Sequence, residues 1–418
     1  MRSFLIHLHP PKVARRTLRP LTTLGLGVLA LVLFSVLGLT GVLLMLYYIP
    51  TVGGALPSTQ DIEYAVTFGS TIRALHRYAA HAMVLVVFCH LLRVFFTAAY
   101  RGRTLNWLIG LSLFGCTLVL AFTGYLLPGD QLSYWAVVVS TNLLDHLPLL
   151  GLPLKRLLLG GGDIGDPAMI RFYTLHVALA PSLMGCLVIW HLWRVRKDGG
   201  LAGNTPGTTP ELAPAHPHLT LREGILALLA SAALLIIAMA VAAPLGGPPD
   251  IHQPSNPEKT PWYFLFLQEM VSYSATVGGF VFPALLVGAL ALLPFAERGE
   301  SQLGAWFGSS RERRLCLASA AAGVALFVAL QWIYMHPVAA EQLLLAPIWL
   351  RRLLNPAAVM MAAAFIAGIA GGRLGASRGA ALCAGAVLLV GIIGFTFMGW
   401  CRGPGWVFYW PWEAWPNV

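Results

Sequence analysis

Long runs of apolar residues alternate along this chain with shorter polar segments. Nine of the runs approach the roughly 20 residues that a helix needs to cross a bilayer. The eighth is the least regular, because Arg351, Arg352 and Pro356 interrupt its approach. The pattern predicts an all-α integral membrane protein with spans at 21–48, 76–99, 106–127, 172–194, 223–243, 277–295, 315–335, 356–372 and 379–400.

A polar stretch rich in proline and glycine separates the first four spans from the last five. We therefore expect a basic cytoplasmic arm, a four-helix module, a linker, a second module, and finally extra helices with an aromatic tail. The predicted boundaries are 1–20, 21–197, 198–221, 222–337 and 338–418. Two long connections, 128–171 and 244–276, are also expected to carry function, as long ordered loops commonly do.

Of the 418 residues, 57% are hydrophobic and only 11% are charged, so most of the chain must lie in lipid. The net charge of +10 does not indicate nucleic-acid binding, because basic residues cluster in alternate loops. Lys12 and Arg15 precede the first span, and Arg101 and Arg103 separate the second from the third. This distribution predicts a cytoplasmic N terminus and, with nine spans, a C terminus on the outer side. The six cysteines form no CxxC or CxxCH motif and are interpreted as buried thiols.

Two of the predicted spans carry a pair of histidines. His76 and His90 are fourteen residues apart in the second span, and His176 and His191 are fifteen apart in the fourth. Fourteen residues make nearly four helical turns and a rise of about 21 Å, so both histidines of one helix face roughly one side. Imidazole ligates haem iron without bringing a formal charge into lipid, and a six-coordinate haem takes two axial ligands. Because the two spans run in the same direction, we predict an outer haem between His76 and His176 and an inner haem between His90 and His191.

Glycines and arginines stand at the depths of these histidines. The glycines are expected to leave room for flat macrocycles, and the arginines could pair with haem propionates. These residues are Gly27, Gly41, Gly110 and Gly124 for the macrocycles, and Arg73, Arg77, Arg93 and Arg194 for the propionates. Glycines in membrane helices often serve packing alone, and a lone membrane histidine is more often a packing residue than a ligand. We interpret His81 in that second way.

The chain resembles the cytochrome b family in three segments, IRALHRYAAHAMVLVVFCHLLRVF, GYLLPGDQLSYWAV and RFYTLHVALAPSLMGCLVIWHLWRVRKDG. Residues 20–200 are similar in particular to the plastid and cyanobacterial bf form, in which the second histidine interval is also fifteen residues. Residues 222–335 resemble the separate partner of that form, subunit IV, here fused in one chain. The bf form attaches an extra haem through a cysteine two residues before its first helix glycine. Gly25 occupies that position here, so no covalent haem is predicted.

The resemblance implies a four-helix di-haem bundle followed by about five further transmembrane helices, with two non-covalent b haems. It also implies the quinol-oxidising subunit of a cytochrome bc or bf complex, in the bacterial inner (cytoplasmic) membrane or an equivalent energy-transducing membrane. Family members oxidise quinol at an outer site, pass one electron to a Rieske iron-sulfur protein and send the other inward through both haems. This Q cycle is coupled to proton translocation. The implied partners are the Rieske protein, a c-type cytochrome subunit, membrane lipid and a second copy of the complex.

The resemblance places the outer quinol site at two segments, with one departure from the family. The implied site residues are Tyr125, Pro128, Asp130 and Tyr134 in one segment, and Pro261, Trp262, Tyr263 and Phe264 of a PWYF sequence in the other. The family motif is Pro-Glu-Trp-Tyr, whereas Thr260 and Pro261 precede Trp262 here. The usual proton-accepting glutamate is therefore absent from its position. The candidate substitutes are Glu258, Glu269 and Asp130.

Two other functions remain open from the residues alone. A di-haem membrane anchor that links quinone to a different redox partner, without bifurcation, would keep the histidines but would not require PWYF or the second module. A transporter or structural membrane protein without haem would be colourless. The aromatic tail is interpreted as an interfacial anchor, with docking of a cytochrome subunit as the alternative.

Overall fold

The computed structural model describes residues 11–200, 211–297, 306–335, 345–374 and 378–413. Within these ranges, nine helices are long and apolar enough to cross a membrane, which confirms the predicted all-helical membrane fold. They are α1 (Leu26–Met45), α2 (Gly69–Phe96), α3 (Thr104–Leu126), α4 (Asp166–Lys197), α5 (His218–Ala240), α6 (Val277–Ala296), α7 (Ser310–Met335), α8 (Pro356–Leu374) and α9 (Gly379–Trp400). The first ten residues of the predicted arm, residues 201–210 of the linker and the end of the tail from 414 lie outside the described residues.

Two of the long helices begin well before the apolar runs that predicted them. Helix α2 begins at Gly69 and α4 at Asp166, so polar turns precede the hydrophobic part of each. An acidic residue in the first turn and a proline beside it favour a helix start at Asp166 and Pro167. These additional turns place the first histidine of each pair inside a helix rather than at its end.

The described residues form two compact units. The first contains the described residues of Met1–Val138, Leu154–Asp250 and Gln302–Trp306, and the second contains those of Val139–Pro153, Ile251–Ser301 and Phe307–Val418. Helix α5 belongs to the first unit because it packs against α1 and α2. One boundary between the compact units therefore falls after residue 250, and others fall after residues 138 and 153. The division of the sequence into modules at the 198–221 linker stays a prediction.

The first unit is built on helix pairs that position the histidines. Helix α1 packs against α2, and α3 packs against α4. Buried apolar side chains from all four helices form one cluster, with Leu234 of α5 completing it. Its other buried members are Leu33, Ala79, Met83, Ile109, Leu113 and Met184. The predicted four-helix bundle is thus the core of this unit.

The second unit packs largely around α9. Helices α7 and α8 both contact α9, and so does a shorter helix, Trp262–Tyr273, which we call the PWYF helix. The close approach of α8 and α9 needs glycine, because a Cβ at Gly371 would lie 2.2 Å from the carbonyl oxygen of Gly379. Helix α9 lies beyond the predicted subunit IV-like module, yet it is the centre of this unit.

Short elements complete the described chain. A two-stranded antiparallel sheet joins β1 (Lys12–Ala14) to β2 (Leu212–Pro214), with Val13 opposite Ala213. This sheet is a small addition to the all-α prediction, and it ties the basic arm to the linker. Other α-helices are Pro20–Thr23, Ala55–Tyr64, Gln131–Leu143, Gly151–Leu159 and Ile348–Leu353. Turns of 3-10 helix occur at Arg15–Leu18, Leu144–His146 and Pro404–Trp406.

Candidate functional site

The first histidines of α2 and α4 face each other. The ring centroids of His76 and His176 are 6.2 Å apart, and the two planes are inclined by 73°. Imidazoles bound on opposite faces of one metal, with metal–nitrogen bonds of about 2 Å, have centroids about 6 Å apart. The spacing of His76 and His176 therefore fits two axial ligands of a single iron.

Threonine hydroxyls set the orientation of these two rings. Oγ1 of Thr40 lies 2.9 Å from Nδ1 of His76, and Oγ1 of Thr123 lies 3.1 Å from Nδ1 of His176. Each hydroxyl also donates its proton to a backbone carbonyl one turn earlier, at 2.7 Å. Because each hydroxyl proton is engaged there, the oxygen accepts a hydrogen bond from Nδ1–H. This fixes the tautomer that leaves Nε2 available as a ligand.

The glycine beside each threonine makes room for the imidazole itself. A Cβ at Gly41 would lie 3.3 Å from Cε1 of His76, and a Cβ at Gly124 would lie 2.5 Å from Cε1 of His176. The second distance is far shorter than any normal carbon contact. These glycines thus permit the imidazole rings to lie against α1 and α3. They contact the histidines themselves, whereas the sequence predicted that they would make room for the macrocycle.

The second pair repeats the arrangement deeper in the same helices. A Cβ at Gly27 would lie 3.8 Å from Cε1 of His90, and a Cβ at Gly110 would lie 3.6 Å from Cε1 of His191. Both histidines line one cavity in the first unit. Its other lining residues include Arg93, Tyr100, Arg103, Asn106, Trp107, Gly110 and Phe114. The cavity provides concave, largely apolar space of the kind a flat cofactor needs.

The inner pair differs from the outer pair in its hydrogen bonds. The residues that precede the inner glycines are Leu26 and Ile109 rather than threonines. The buried Nδ1 of His90 has no hydrogen-bond partner among the described residues. The outer and inner levels therefore offer their histidines similar space but different hydrogen-bond partners.

A π-helical turn explains how unequal histidine intervals meet. Fifteen residues of regular helix would rotate His191 by about 100° relative to a fourteen-residue interval. Helix α4, however, contains one π-helical turn at Leu175–Leu179, which includes His176. A π turn takes in one extra residue, so the fifteen-residue interval can match the fourteen residues from His76 to His90.

The outer arginine Arg73 is held by protein groups. Its Nε donates to Oε2 of Glu63 at 2.6 Å, and both side chains of this ion pair are largely buried. Its guanidinium also donates to the carbonyl oxygens of Ala243 and Pro244, in the loop that follows α5. Arg73 therefore joins three segments of the first unit, and its predicted contact with a propionate stays a prediction.

Two of the other predicted arginines also have partners. Arg93 donates through Nε and Nη2 to the carbonyl oxygen of Thr22 at 2.9 and 2.6 Å, and Arg194 forms a 2.6 Å ion pair with Asp198. Arg77 makes no side-chain hydrogen bond to another described residue. Propionate contacts stay a prediction for all of them.

In the first quinol-site segment, Asp130 is a buried helix cap. Its Oδ1 accepts hydrogen bonds from the backbone N and from Oγ of Ser133, at 3.0 and 2.8 Å, and its Oδ2 accepts one from the N–H of Gly246 at 2.8 Å. Both carboxylate oxygens are thus engaged in holding the helix that follows. Tyr125 packs in the apolar cluster beside it, and Tyr134 contacts Trp135 edge-to-face.

In the second segment of the predicted quinol site, the PWYF sequence lies at the start of a helix. Pro261 precedes the first helical residue, with an extended ψ of 150°, and Trp262 is 39% exposed. The rings of Trp262 and Tyr263 pack edge-to-face at 5.3 Å, as do those of Tyr263 and Phe264 at 4.9 Å.

A glutamine fixes the residues before this helix. Oε1 of Gln268 accepts hydrogen bonds from the N–H and hydroxyl of Thr260, both at 2.9 Å. Nε2 of Gln268 donates to the carbonyl oxygen of Glu258 at 2.7 Å. The carboxylate of the half-buried Glu258 accepts a hydrogen bond through Oε2 from the N–H of Ser255, at 3.1 Å.

Glu269 is fully buried at the centre of a charged network. Nε of Arg402 lies 3.1 and 3.0 Å from its two oxygens, and Nη2 of Arg402 also donates to Oε1. Tyr273 donates to Oε1 at 2.8 Å, and the indole N–H of Trp406 donates to Oε2 at 3.1 Å. Burial, together with the neighbouring charge of Glu269, raises the pKa of Tyr273. Burial lowers the pKa of Arg402, but the hydrogen bonds and negative charge of Glu269, together with Tyr273, outweigh burial and raise the pKa of Arg402.

Sequence reasoning missed the threonines and the partners of Glu269. The threonines had a visible signal, because a Thr-Gly pair occurs at the same depth in both glycine-bearing spans, Thr40–Gly41 and Thr123–Gly124. No sequence signal links Arg402 or Trp406 to Glu269, since more than 130 residues separate them.

Comparisons with known proteins point to one family. A family model described as "Cytochrome b(N-terminal)/b6/petB" matches residues 81–248. Cytochrome b6 of Heliomicrobium gestii is 43% identical over 175 residues, which cover 42% of this chain and 82% of that protein. Cytochrome b6 of Heliobacterium mobile is 44% identical with the same coverage, and that of Mesostigma viride is 40% identical over 161 residues. A chain of a solved "Hyperthermophilic respiratory Complex III" shares the fold, with a TM-score of 0.68 and 24% identity over 96% of this chain and 97% of that one.

Proposed function

Because this chain belongs to the cytochrome b/b6 family, we propose that it is the cytochrome b subunit of a quinol-oxidising bc or bf type complex. The membrane would be a bacterial inner (cytoplasmic) or equivalent energy-transducing membrane, with the N terminus cytoplasmic and the C terminus outside. The observation that carries the proposal is the facing pair His76 and His176, 6.2 Å between ring centroids, with a second pair deeper in the same helices.

Two b haems would be held by the four histidines, His76 and His176 outside and His90 and His191 inside. When bound, these groups supply one-electron transfer across the bilayer. The protein presents Nε2 of each imidazole, keeps the rings against glycine and excludes water with the apolar walls of the bundle. At the outer level the threonine hydroxyls also fix the ligand tautomer.

Quinol would be oxidised on the outer side, at the residues the family resemblance implies. Its two electrons leave by separate routes, one to a Rieske iron-sulfur protein and one inward across the membrane, and its two protons leave to the outer side. We propose a c-type cytochrome as a further partner and a homodimeric complex. The family membership and the fold shared with a chain of a respiratory Complex III support this assembly.

Glu258 is the proposed proton acceptor in place of the missing motif glutamate. Asp130 and Glu269 are less suitable, because each already has a structural role: Asp130 holds the start of the helix that follows it, and Glu269 is fully buried in an ion pair with Arg402. Glu258 is half-buried and lies three residues before Pro261, in the loop that leads into the PWYF helix.

Replacement Glu258→Gln tests this assignment. We expect quinol turnover to fall by at least about tenfold, because a lost general base typically costs that much or more. Haem content should stay at the wild-type level. The matched control is Glu211→Gln, an exposed carboxylate paired with Arg15, which should leave turnover unchanged. Wild-type turnover in Glu258→Gln would remove Glu258 from this role.

Purification of the native complex through a tag on this chain tests the proposed function. With an antimycin-type inhibitor present and quinol as donor, a pulse of oxidant should reduce b haem, and a Rieske protein should copurify. That response requires the two electrons of quinol to follow separate routes. If quinol reduced the haems without dependence on oxidant, and some other redox subunit accompanied the chain, the non-bifurcating anchor would be the better description.

A further inference from the structure

The segment that follows α9 contacts the PWYF helix at several points. The family match ends at residue 248, and the cytochrome b6 relatives align with only 42% of the chain. We propose that residues 400–406, here called the C-terminal clamp, position the PWYF helix and its preceding loop for quinol oxidation. This inference rests on the proposed function of the PWYF segment and assigns a role to the start of the aromatic tail.

The strongest contact is the buried ion pair of Glu269 and Arg402. Glu269 is 0% exposed, and its two oxygens together face the Arg402 guanidinium, the Tyr273 hydroxyl and the Trp406 indole. A buried charge pair tolerates little displacement, because its attraction offsets the cost of desolvation only in good geometry. The fork of arginine also fixes direction as well as distance. Glu269 thus holds the middle of the PWYF helix at a set rotation.

The loop before the helix is held by the same segment. Nζ of Lys259 donates to the carbonyl oxygen of Trp400 at 2.8 Å. The N–H of Gly405 donates to Oδ1 of Asn256 at 2.6 Å. Lys259 and Asn256 lie before Pro261, while Glu269 lies after it, so the clamp contacts the chain on both sides of the PWYF sequence.

Close packing adds a third restraint. A Cβ at Gly399 would lie 3.1 Å from the carbonyl oxygen of Leu265 and 3.4 Å from its Cβ. The end of α9 therefore lies directly against the first turn of the PWYF helix. A helix restrained at Lys259, Leu265 and Glu269 can neither slide nor rotate freely. The orientation of Trp262 and Tyr263 then depends on the clamp.

Apolar replacement of the ion pair separates positioning from stability. The double variant Glu269→Met/Arg402→Met removes both charges, and such replacements of buried pairs are often tolerated by the fold. The matched control is Glu297→Met/Arg378→Met, a second buried pair of the same unit, 3.8 Å apart. Arg402→Lys keeps the charge without the fork and should restore function only in part.

Kinetics and hydrogen exchange of the assembled complex give the readouts. With decylubiquinol and with menadiol as probes, we expect the Glu269→Met/Arg402→Met variant to lose about tenfold or more in kcat/KM, since small displacements of positioned groups are costly. Its b haem content should match the wild type, and amide exchange should rise within 256–273. The control pair should change neither readout.

A double variant that assembles with wild-type kcat/KM and wild-type amide exchange would contradict the positioning role of the C-terminal clamp. If it fails to assemble, Trp406→Phe and Lys259→Met each remove one donor and should still raise KM and exchange in 256–273. Unchanged values in both would overturn the proposal equally. If the wild-type complex oxidises neither quinol, the proposed function fails on its own. The positioning claim fails with it only if exchange in 256–273 is also unaffected.

Discussion

Thr40 and Thr123 give both outer histidines a hydroxyl partner, whereas Leu26 and Ile109 occupy the matching positions at the inner level. An oxygen that accepts from Nδ1–H increases electron density on the ligand and favours ferric iron. In Thr40→Val and Thr123→Val, the midpoint potential of the outer haem should therefore rise by some tens of millivolts, while that of the inner haem stays constant. Redox titration of the b bands measures both.

The control for the threonine variants lies on the same helix. Thr117 is buried on α3 and donates to the carbonyl oxygen of Leu113 at 2.9 Å, without a histidine contact. Thr117→Val should leave both potentials unchanged. An unchanged outer potential in both Thr40→Val and Thr123→Val would contradict the assigned hydrogen bonds.

Gly124 is the glycine whose replacement should cost most. A Cβ there would lie 2.5 Å from the His176 ring, whereas one at Gly115 on the same helix would meet no atom within 4 Å. Such overpacking typically costs about 1–3 kcal/mol. We expect Gly124→Ala to lose the outer haem selectively and Gly115→Ala to keep both, as measured by haem per chain. Full outer haem occupancy in Gly124→Ala would contradict this prediction, because it would show that the His176 ring can move away from the added methyl group.

The residues that sequence reasoning found best are those that repeat at fixed helical intervals. Histidine and glycine pairs could be matched in depth because helical rise is uniform. The partners of Arg73, Asp130 and Glu269 could not be found in this way. Their hydrogen bonds depend on segments more than 100 residues away in the chain, or on the local path of a loop.

At the scale of elements, the π-helical turn in α4 reconciles two histidine intervals that differ by one residue. Deletion of Val177, inside the turn Leu175–Leu179, should convert it to regular helix and keep His191 in register. Deletion of Leu187, in the regular part of α4, should shift the residues around it by about 100° whichever way the helix responds.

Haem content of the two deletion variants distinguishes these outcomes. We expect the Val177 deletion to retain most of both haems and the Leu187 deletion to lose the inner one. Equal loss in the two variants would mean that the π turn does not absorb the extra residue.

The long helices could be predicted from sequence, but the short ones could not. Apolar runs identify a membrane span without any knowledge of its neighbours, and all nine predicted spans are confirmed in the described chain. The helices Gln131–Leu143 and Trp262–Tyr273 lie in segments predicted only as functional loops. Their mixed composition gives no strong periodic signal, and their starts depend on local hydrogen bonds, such as those of Asp130 with Ser133 and of Gln268 with Thr260.

At the scale of the whole molecule, the end of the family match lies close to one boundary between the compact units. The match ends at residue 248, and the segment Leu154–Asp250 of the first compact unit ends two residues later. The predicted module boundary at 198–221 lies inside this range and stays a prediction, because a polar linker marks a connection and not which helices pack together. Helix α5 follows that linker and still packs against α1 and α2.

The central claim is that this chain holds two b haems on four histidines. The most direct measurement is haem per chain in the purified complex, with the wild type compared against His76→Ala, His90→Ala and His81→Ala. We predict two acid-extractable haems with a b-type spectrum in the wild type, one haem in each of the first two variants, and two in His81→Ala. A colourless wild-type protein, or loss of a haem in His81→Ala with none lost in His76→Ala, would contradict the account.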